Sequence, residues 1–177
     1  MAPSGLSALA ALFRRLGIDW VLIGALAANR YRVAPRLTAD VDLLLATARP
    51  DLEGLEAALR AEGWTVRRAS ADGEVLRIRH PDLGLADLLF ADTQYQRTAL
   101  ERAHTERLDD LEVRVLTVED VLVHKLIAGR SQDLADIEAI LAAGAPLDVA
   151  YLERWIRFWE VDDLWQRLVA SRHKAEF

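Results

Sequence analysis

Hydrophobic and polar positions divide the chain into short apolar runs and amphipathic stretches. Residues 7–16 carry Leu and Ala on one side at helical spacing, and Gly17 stops the helix this predicts. DWVLI, residues 19–23, is a short apolar strand ending at Gly24, and ALAANRY continues as a helix. LTADVDLLL, residues 37–45, is the next strand. Pro50 opens a helix that runs to Gly63. Residues 64–68 and 74–79 are strands around the polar turn ASADG. Pro81 and Gly84 bracket a further turn before a strand at 85–90. Residues 96–103 read as a short helix or a loop, and LEVRVL, 111–116, alternates like a strand at a sheet edge.

Beyond Leu116 the spacing becomes helical. Thr117 suits an N-cap, with Asp120 three residues on, and helices follow at 118–128 and 132–143, the second capped by Ser131. Gly144 and Pro146 interrupt. Asp148 caps an aromatic-rich helix at 149–159, residues 162–169 supply the last turns, and RHKAEF reads as a frayed end. No internal repeat is present. The order predicts an α/β (α+β) architecture: a mixed-sheet core over residues 1–116, and a helical region over 117–177 packed on it.

Composition narrows the function classes. The 177 residues are 52% hydrophobic, enough to bury a core, and the formal charge of −6 argues against a broad nucleic-acid-binding face. A small site for a nucleotide or an RNA end is compatible with that charge. The chain has no Cys, which excludes disulfides, zinc–thiolate sites and Cys nucleophiles. Arg14 and Arg15 follow the first apolar run instead of preceding it, and no run reaches transmembrane length, so a cytoplasmic protein without a membrane partner is expected.

The chemistry concentrates in LTADVDLLL. Asp is a poor strand former, and alternation sends Asp40 and Asp42 to the same face, where they repel. A divalent cation held between carboxylates and substrate phosphates would relieve that repulsion. Two exposed aspartates at the solvent end of a strand would be the plainer explanation. Before them, a strand–Gly24–helix turn aims backbone N–H groups at an anion, and parallel pairing of the first two strands would turn both features to one crevice. Asp87, between Ala86 and Leu88, is a third strand carboxylate. It needs a metal or an arginine such as Arg77 or Arg79 on a neighbouring strand.

The run GALAANRYRVAPRLTADVDLLL resembles the nucleotidyltransferase superfamily, the DNA polymerase β-like fold. The closer resemblance is to bacterial AbiEii-related toxin proteins. It rests on Arg36, Thr38, Asp40 and Asp42 in their Arg-x-Thr-x-Asp-hydrophobic-Asp spacing, and on the helical segment VHKLIAGRSQDLADIEAIL. The resemblance implies that Asp40, Asp42 and Asp87 hold Mg2+ (Mn2+ as a substitute) and carry catalysis. It implies that Gly24, Ala25, Arg36, Thr38, Lys125 and Asp136 bind the nucleotide. The implied reaction moves a nucleotide from an NTP, ATP among them, to an RNA or protein hydroxyl, with two metals neutralising the leaving pyrophosphate. Many relatives carry Ser after the glycine, whereas Ala25 stands here.

Two polar and aromatic groups remain. Asp133 and Asp136 share a helix face, and with Lys125 and Arg130 they could contact phosphate or clamp two helices together. Arg30, Arg32 and Arg36 surround the approach to the aspartates, Arg36 being the favoured phosphate contact, and His124 reads as an ordinary partly buried histidine. Trp155, Phe158, Trp159 and Trp165 sit in an acidic setting. That favours a helical core or a surface for an antitoxin or a second copy over base stacking. Two functions follow: a metal-dependent nucleotidyltransferase, with a toxin–antitoxin role from resemblance alone, or a catalytically inactive member used for binding or protein interaction.

Overall fold

The computed structural model describes residues 4–46, 52–69, 75–108 and 110–175. They divide into two compact units, Met1–Leu26 with Leu37–Leu116, and Ala27–Arg36 with Thr117–Phe177. The fold is mixed α/β, with a central mixed sheet and C-terminal helices.

In the first unit, helix α1 (Ser4–Leu16) buries Leu6, Leu9, Leu12 and Phe13, a stripe at helical spacing. Among the described residues, seven strands form one sheet: β1 (Trp20–Ile23), β2 (Asp40–Leu45), β3 (Thr65–Arg68), β4 (Val75–His80), β5 (Gly84–Phe90), β6 (His104–Leu108) and β7 (Leu111–Val115). Their order is β3-β4-β5-β2-β1-β7-β6. β2 pairs parallel with β5, and β1 parallel with β7, while the remaining neighbours run antiparallel. Helices α3 (Leu52–Ala61) and α4 (Gln94–Arg102) complete the unit, α4 behind a capping box of Thr93 and Gln96.

The central strand β2 explains its own sequence. Leu43, Leu44 and Leu45 are all buried, so the strand is covered on both faces there and its apolar run is continuous. Asp40 and Asp42 stand at the opposite, open end.

Several expectations are corrected. β1 and β2 pair antiparallel, not parallel. The intervening helix α2 (Gly24–Ala28) has five residues and rises about 7.5 Å, too little to carry the chain back along a four-residue strand of about 13 Å. A 3-10 turn, Asn29–Tyr31, follows it. The strand expected from residue 37 begins at Asp40, and Leu37 is 99% exposed. Residues 94–102 are helical, which settles the helix-or-loop alternative. β7 is not an edge, because β6 pairs outside it. HTERL hid that strand: its residues are exposed or half-buried, a polar edge with no apolar alternation. Most of ASADG lies outside the described residues, as do Pro50 and the start of its helix.

In the second unit, α5 (Val118–Ala128) packs on α6 (Ser131–Ala143) and α7 (Val149–Phe158), and α8 (Asp162–Ala175) packs on α6 and α7. Thr117 and Asp148 cap α5 and α7 as expected, accepting from the amides of Asp120 and Tyr151. Ser131 does not cap α6; it is the first helical residue, and Arg130 holds the cap position without a side-chain bond. The backbone of α8 continues to Ala175, through most of the segment expected to fray, while Glu176 and Phe177 lie outside the described residues. Trp155 is buried, with Tyr151 and Phe158 against it edge-on at 6.2 and 5.3 Å, so Trp155 belongs to the helical core, while Trp159 and Trp165 are half-buried. Phe158 itself is 57% exposed. Among the described residues no helix is long and apolar enough to cross a membrane.

Candidate functional site

Sheet register assembles the carboxylates of the first unit. Asp42 lies beside Ile23 of β1 on one flank and beside Asp87 of β5 on the other. Asp40 is two residues away on the same strand. Alternation therefore turns Asp40, Asp42 and Asp87 to one face, while Val41 and Leu43 go to the other with Ala86 and Leu88. Asp40 is exposed, and Asp42 and Asp87 are half-buried.

Arg77 joins them from β4, where it is the direct cross-strand partner of Asp87. Its Nε donates to Oδ1 of Asp87 at 2.7 Å and its Nη2 to Oδ2 at 2.6 Å, a bidentate charge-assisted fork. The hydrogen bond to Asp87 raises the Arg77 pKa further. The charge of Asp87 adds to it, with smaller contributions from Asp40 and Asp42. One guanidinium thus sits in the field of all three carboxylates.

Gly24 is required beside Asp42. Its φ of +65° lies in the left-handed region. A β-carbon there would also meet the Asp42 carboxylate. Ala25 follows and is buried. The Thr38 hydroxyl donates to the carbonyl oxygen of Asp40 at 3.2 Å, which braces the start of β2.

The residues fit a metal only in part. Asp40 and Asp42 have the hard-oxygen chemistry of a Mg2+ site. The third carboxylate has both oxygens engaged by Arg77. Among the described residues, no three acidic or histidine side chains converge closely enough to hold an ion.

The second unit holds the other expected residues in a buried ion-pair network. Asp136 is fully buried and accepts from Arg36 Nε at 2.8 Å, Arg36 Nη2 at 3.0 Å, Lys125 Nζ at 2.6 Å, and Arg32 Nη1. Lys125 also donates to Asp133 at 3.1 Å, and Arg130 reaches Asp133 at 2.6 Å. Burial alone would push both carboxyl pKa values up. Hydrogen bonds from Arg36 and Lys125 at Asp136, and from Arg130 and Lys125 at Asp133, outweigh it and hold both below the ordinary value. The clamp between helices is thus realised, and Arg36 is committed to Asp136.

Sequence reasoning missed a clasp on this network and two further polar contacts of the second unit. Asn29 clasps the backbone of Arg36 from both sides, donating to its carbonyl oxygen at 2.8 Å and accepting from its amide at 3.0 Å. Asp120 accepts from the Tyr151 hydroxyl at 2.7 Å and from Thr117 at 2.8 Å. Glu119 accepts from the Asp148 amide at 2.8 Å. The only local signal was the acidic pair Glu119-Asp120 in a helix whose next residues are apolar. His124 is enclosed deeply enough for burial, with the nearby charge of Lys125, to push its pKa down to about 4.

Solved structures of other proteins share this fold. A nucleotidyltransferase-like antigenic protein from Paracoccidioides brasiliensis is 20% identical, covering 95% of this chain and 92% of that one, at a TM-score of 0.58. ANT(2")-Ia in complex with adenylyl-2"-tobramycin is 14% identical over 88% and 94%, with a TM-score of 0.60. The lincosamide antibiotic adenylyltransferase LnuA, lincomycin-bound, is 15% identical over 78% and 95%, with a TM-score of 0.55. The fold is that of the Pol-β-like nucleotidyltransferases. The chain belongs to the family described as nucleotidyl transferase AbiEii toxin, Type IV TA system, whose model matches residues 7–174. No curated protein matches it.

Proposed function

We propose that this chain is a nucleotidyltransferase-fold binding module whose carboxylate face is neutralised by an arginine and does not turn over substrate in this arrangement. The observation that carries the reading is the fork of Arg77 on Asp87. It consumes the third carboxylate of the set. Two further observations agree with it. Ala25 offers no hydroxyl to a phosphate, and Arg36, Lys125 and Asp136 are bound to one another. The ligand would be a nucleotide met by backbone at Gly24 and Ala25, or a protein such as an antitoxin or a second copy, with exposed Phe158 as a contact.

A second reading is favoured by the register of Asp42 with Asp87. Three carboxylates on one face, in a family described as nucleotidyl transferases, support transfer of a nucleotide from an NTP to an RNA or protein hydroxyl. Asp40, Asp42 and Asp87 would then be the metal-dependent set, and toxin activity would follow from that chemistry.

Calorimetric titration with each of the four NTPs, with and without Mg2+, separates the two. The binding-module reading expects any affinity to be independent of Mg2+ and unchanged in Asp40→Ala/Asp42→Ala. Mg2+-dependent binding abolished by the double substitution, accompanied by label transfer from NTP to RNA or protein, would replace it with the transferase.

A further inference from the structure

We infer that Arg77 is a resident counter-ion that occupies the carboxylate face in place of a divalent cation and keeps such cations out. The inference rests on the reading of that face given above and names the residue responsible for it. Three features support it. The fork engages Oδ1 and Oδ2 of Asp87 together, so no carboxylate oxygen of that residue is left without a donor. A planar guanidinium matches a carboxylate in two parallel bonds, whereas a lysine ammonium could offer only a point charge.

The pairing is also built into the backbone. Arg77 and Asp87 are direct partners in the β4–β5 register, and Asp87 and Asp42 are direct partners in the β5–β2 register. The cation is therefore delivered to the row of carboxylates by hydrogen-bonded strands on both sides, not by a mobile loop. Its positive charge opposes a second cation at Asp40 and Asp42, because like charges disfavour one another.

The arrangement is also reversible in principle. The Arg77 side chain is 37% exposed and Asp87 16%. The guanidinium is not packed into a core, so removing its charge leaves the strand pairing in place. A face that carries a guanidinium would then be exchanged for one on which three carboxylates share a side of the sheet without it. Such a face has the hard oxygen donors that Mg2+ or Mn2+ takes.

Mn2+ alone is the probe, followed by electron paramagnetic resonance of the free ion, with no nucleotide and no activity readout. The set comprises wild type, Asp40→Ala/Asp42→Ala, Arg77→Met, Arg77→Gln, Arg77→Lys, and Arg77→Met with Asp42→Asn. Wild type is expected to bind Mn2+ weakly, and no more weakly in Asp40→Ala/Asp42→Ala. Arg77→Met and Arg77→Gln are expected to bind about tenfold more tightly or better, the scale of one charge-assisted pair. Adding Asp42→Asn should abolish the gain, and Arg77→Lys, which keeps the charge but not the fork, should fall between wild type and the neutral variants. Arg77→Gln keeps a donor to Asp87 and serves if the methionine variant does not fold. Unchanged or weaker Mn2+ binding in both neutral variants, beside a wild type that binds weakly, would overturn this inference alone. Tight wild-type binding lost in Asp40→Ala/Asp42→Ala would overturn both it and the binding-module reading.

Discussion

A β-carbon placed on Gly24 would stand 2.0 Å from the Oδ2 atom of Asp42. The glycine that follows β1 and the aspartate at the sheet's open end are therefore a single steric unit. Gly24→Ala should destabilise the protein by more than about 1 kcal/mol, from the positive φ and the collision together. Asp42→Ala in the same chain should recover part of the loss, since it removes the carboxylate and leaves the strained backbone. Urea unfolding of the four members of this cycle measures the coupling, and strict additivity would remove the steric link.

The three carboxylates differ in what they do for stability. Asp40 is exposed, so Asp40→Asn should change the unfolding free energy by less than about 0.5 kcal/mol. Asp87→Asn breaks a bidentate pair and should cost about 1–3 kcal/mol. Equal effects in thermal or urea unfolding would mean that the fork contributes little in solution.

Asp136 should be the most sensitive charged position in the second unit. It is fully buried and neutralises Lys125, which is itself buried, together with Arg36 and Arg32. Asp136→Ala leaves those cations without it and should destabilise by about 3–5 kcal/mol. Arg130→Ala removes a side chain that is 77% exposed and should cost far less. Equilibrium unfolding with a probe in the helical region, such as Trp155 fluorescence, checks the ranking.

Acid should weaken the protein in two stages. His124 titrates at about 4 when folded and near 6.5 when unfolded. The unfolded chain therefore binds the proton first, and stability falls as pH drops from about 6.5 to about 4, by at most about 1.4 kcal/mol per pH unit. Asp133 and Asp136 have folded values below 3.8, so their contribution is present above that pH and is lost only as pH falls further. His124→Gln should flatten the first stage and leave the second. Denaturant midpoints measured between pH 3 and 7, a range of about four units around these values, would show whether the slope follows His124.

Much of this architecture was legible in local pattern. Thr117 and Asp148 carry oxygens that accept the free amides of a first helical turn, and α5 and α7 begin directly after them. Asp40 and Asp42 had to share a face because strand alternation has period two. Leu43–45 required cover on both sides of the sheet because three successive apolar residues cannot all face one core.

Tertiary structure decided the partners, because pairing depends on where distant chain segments return. The five-residue α2 turned β1 and β2 antiparallel, and polar β6 found its place only beside β7. Asp136 is bound by Arg32 and Arg36, 104 and 100 residues away in the chain. Arg77 and Arg79 look alike in sequence, but register sets Arg77 against Asp87 and Arg79 against Leu85. The sequence supplied an acidic face in need of a cation. Strand register, a property of the assembled sheet, put a guanidinium there.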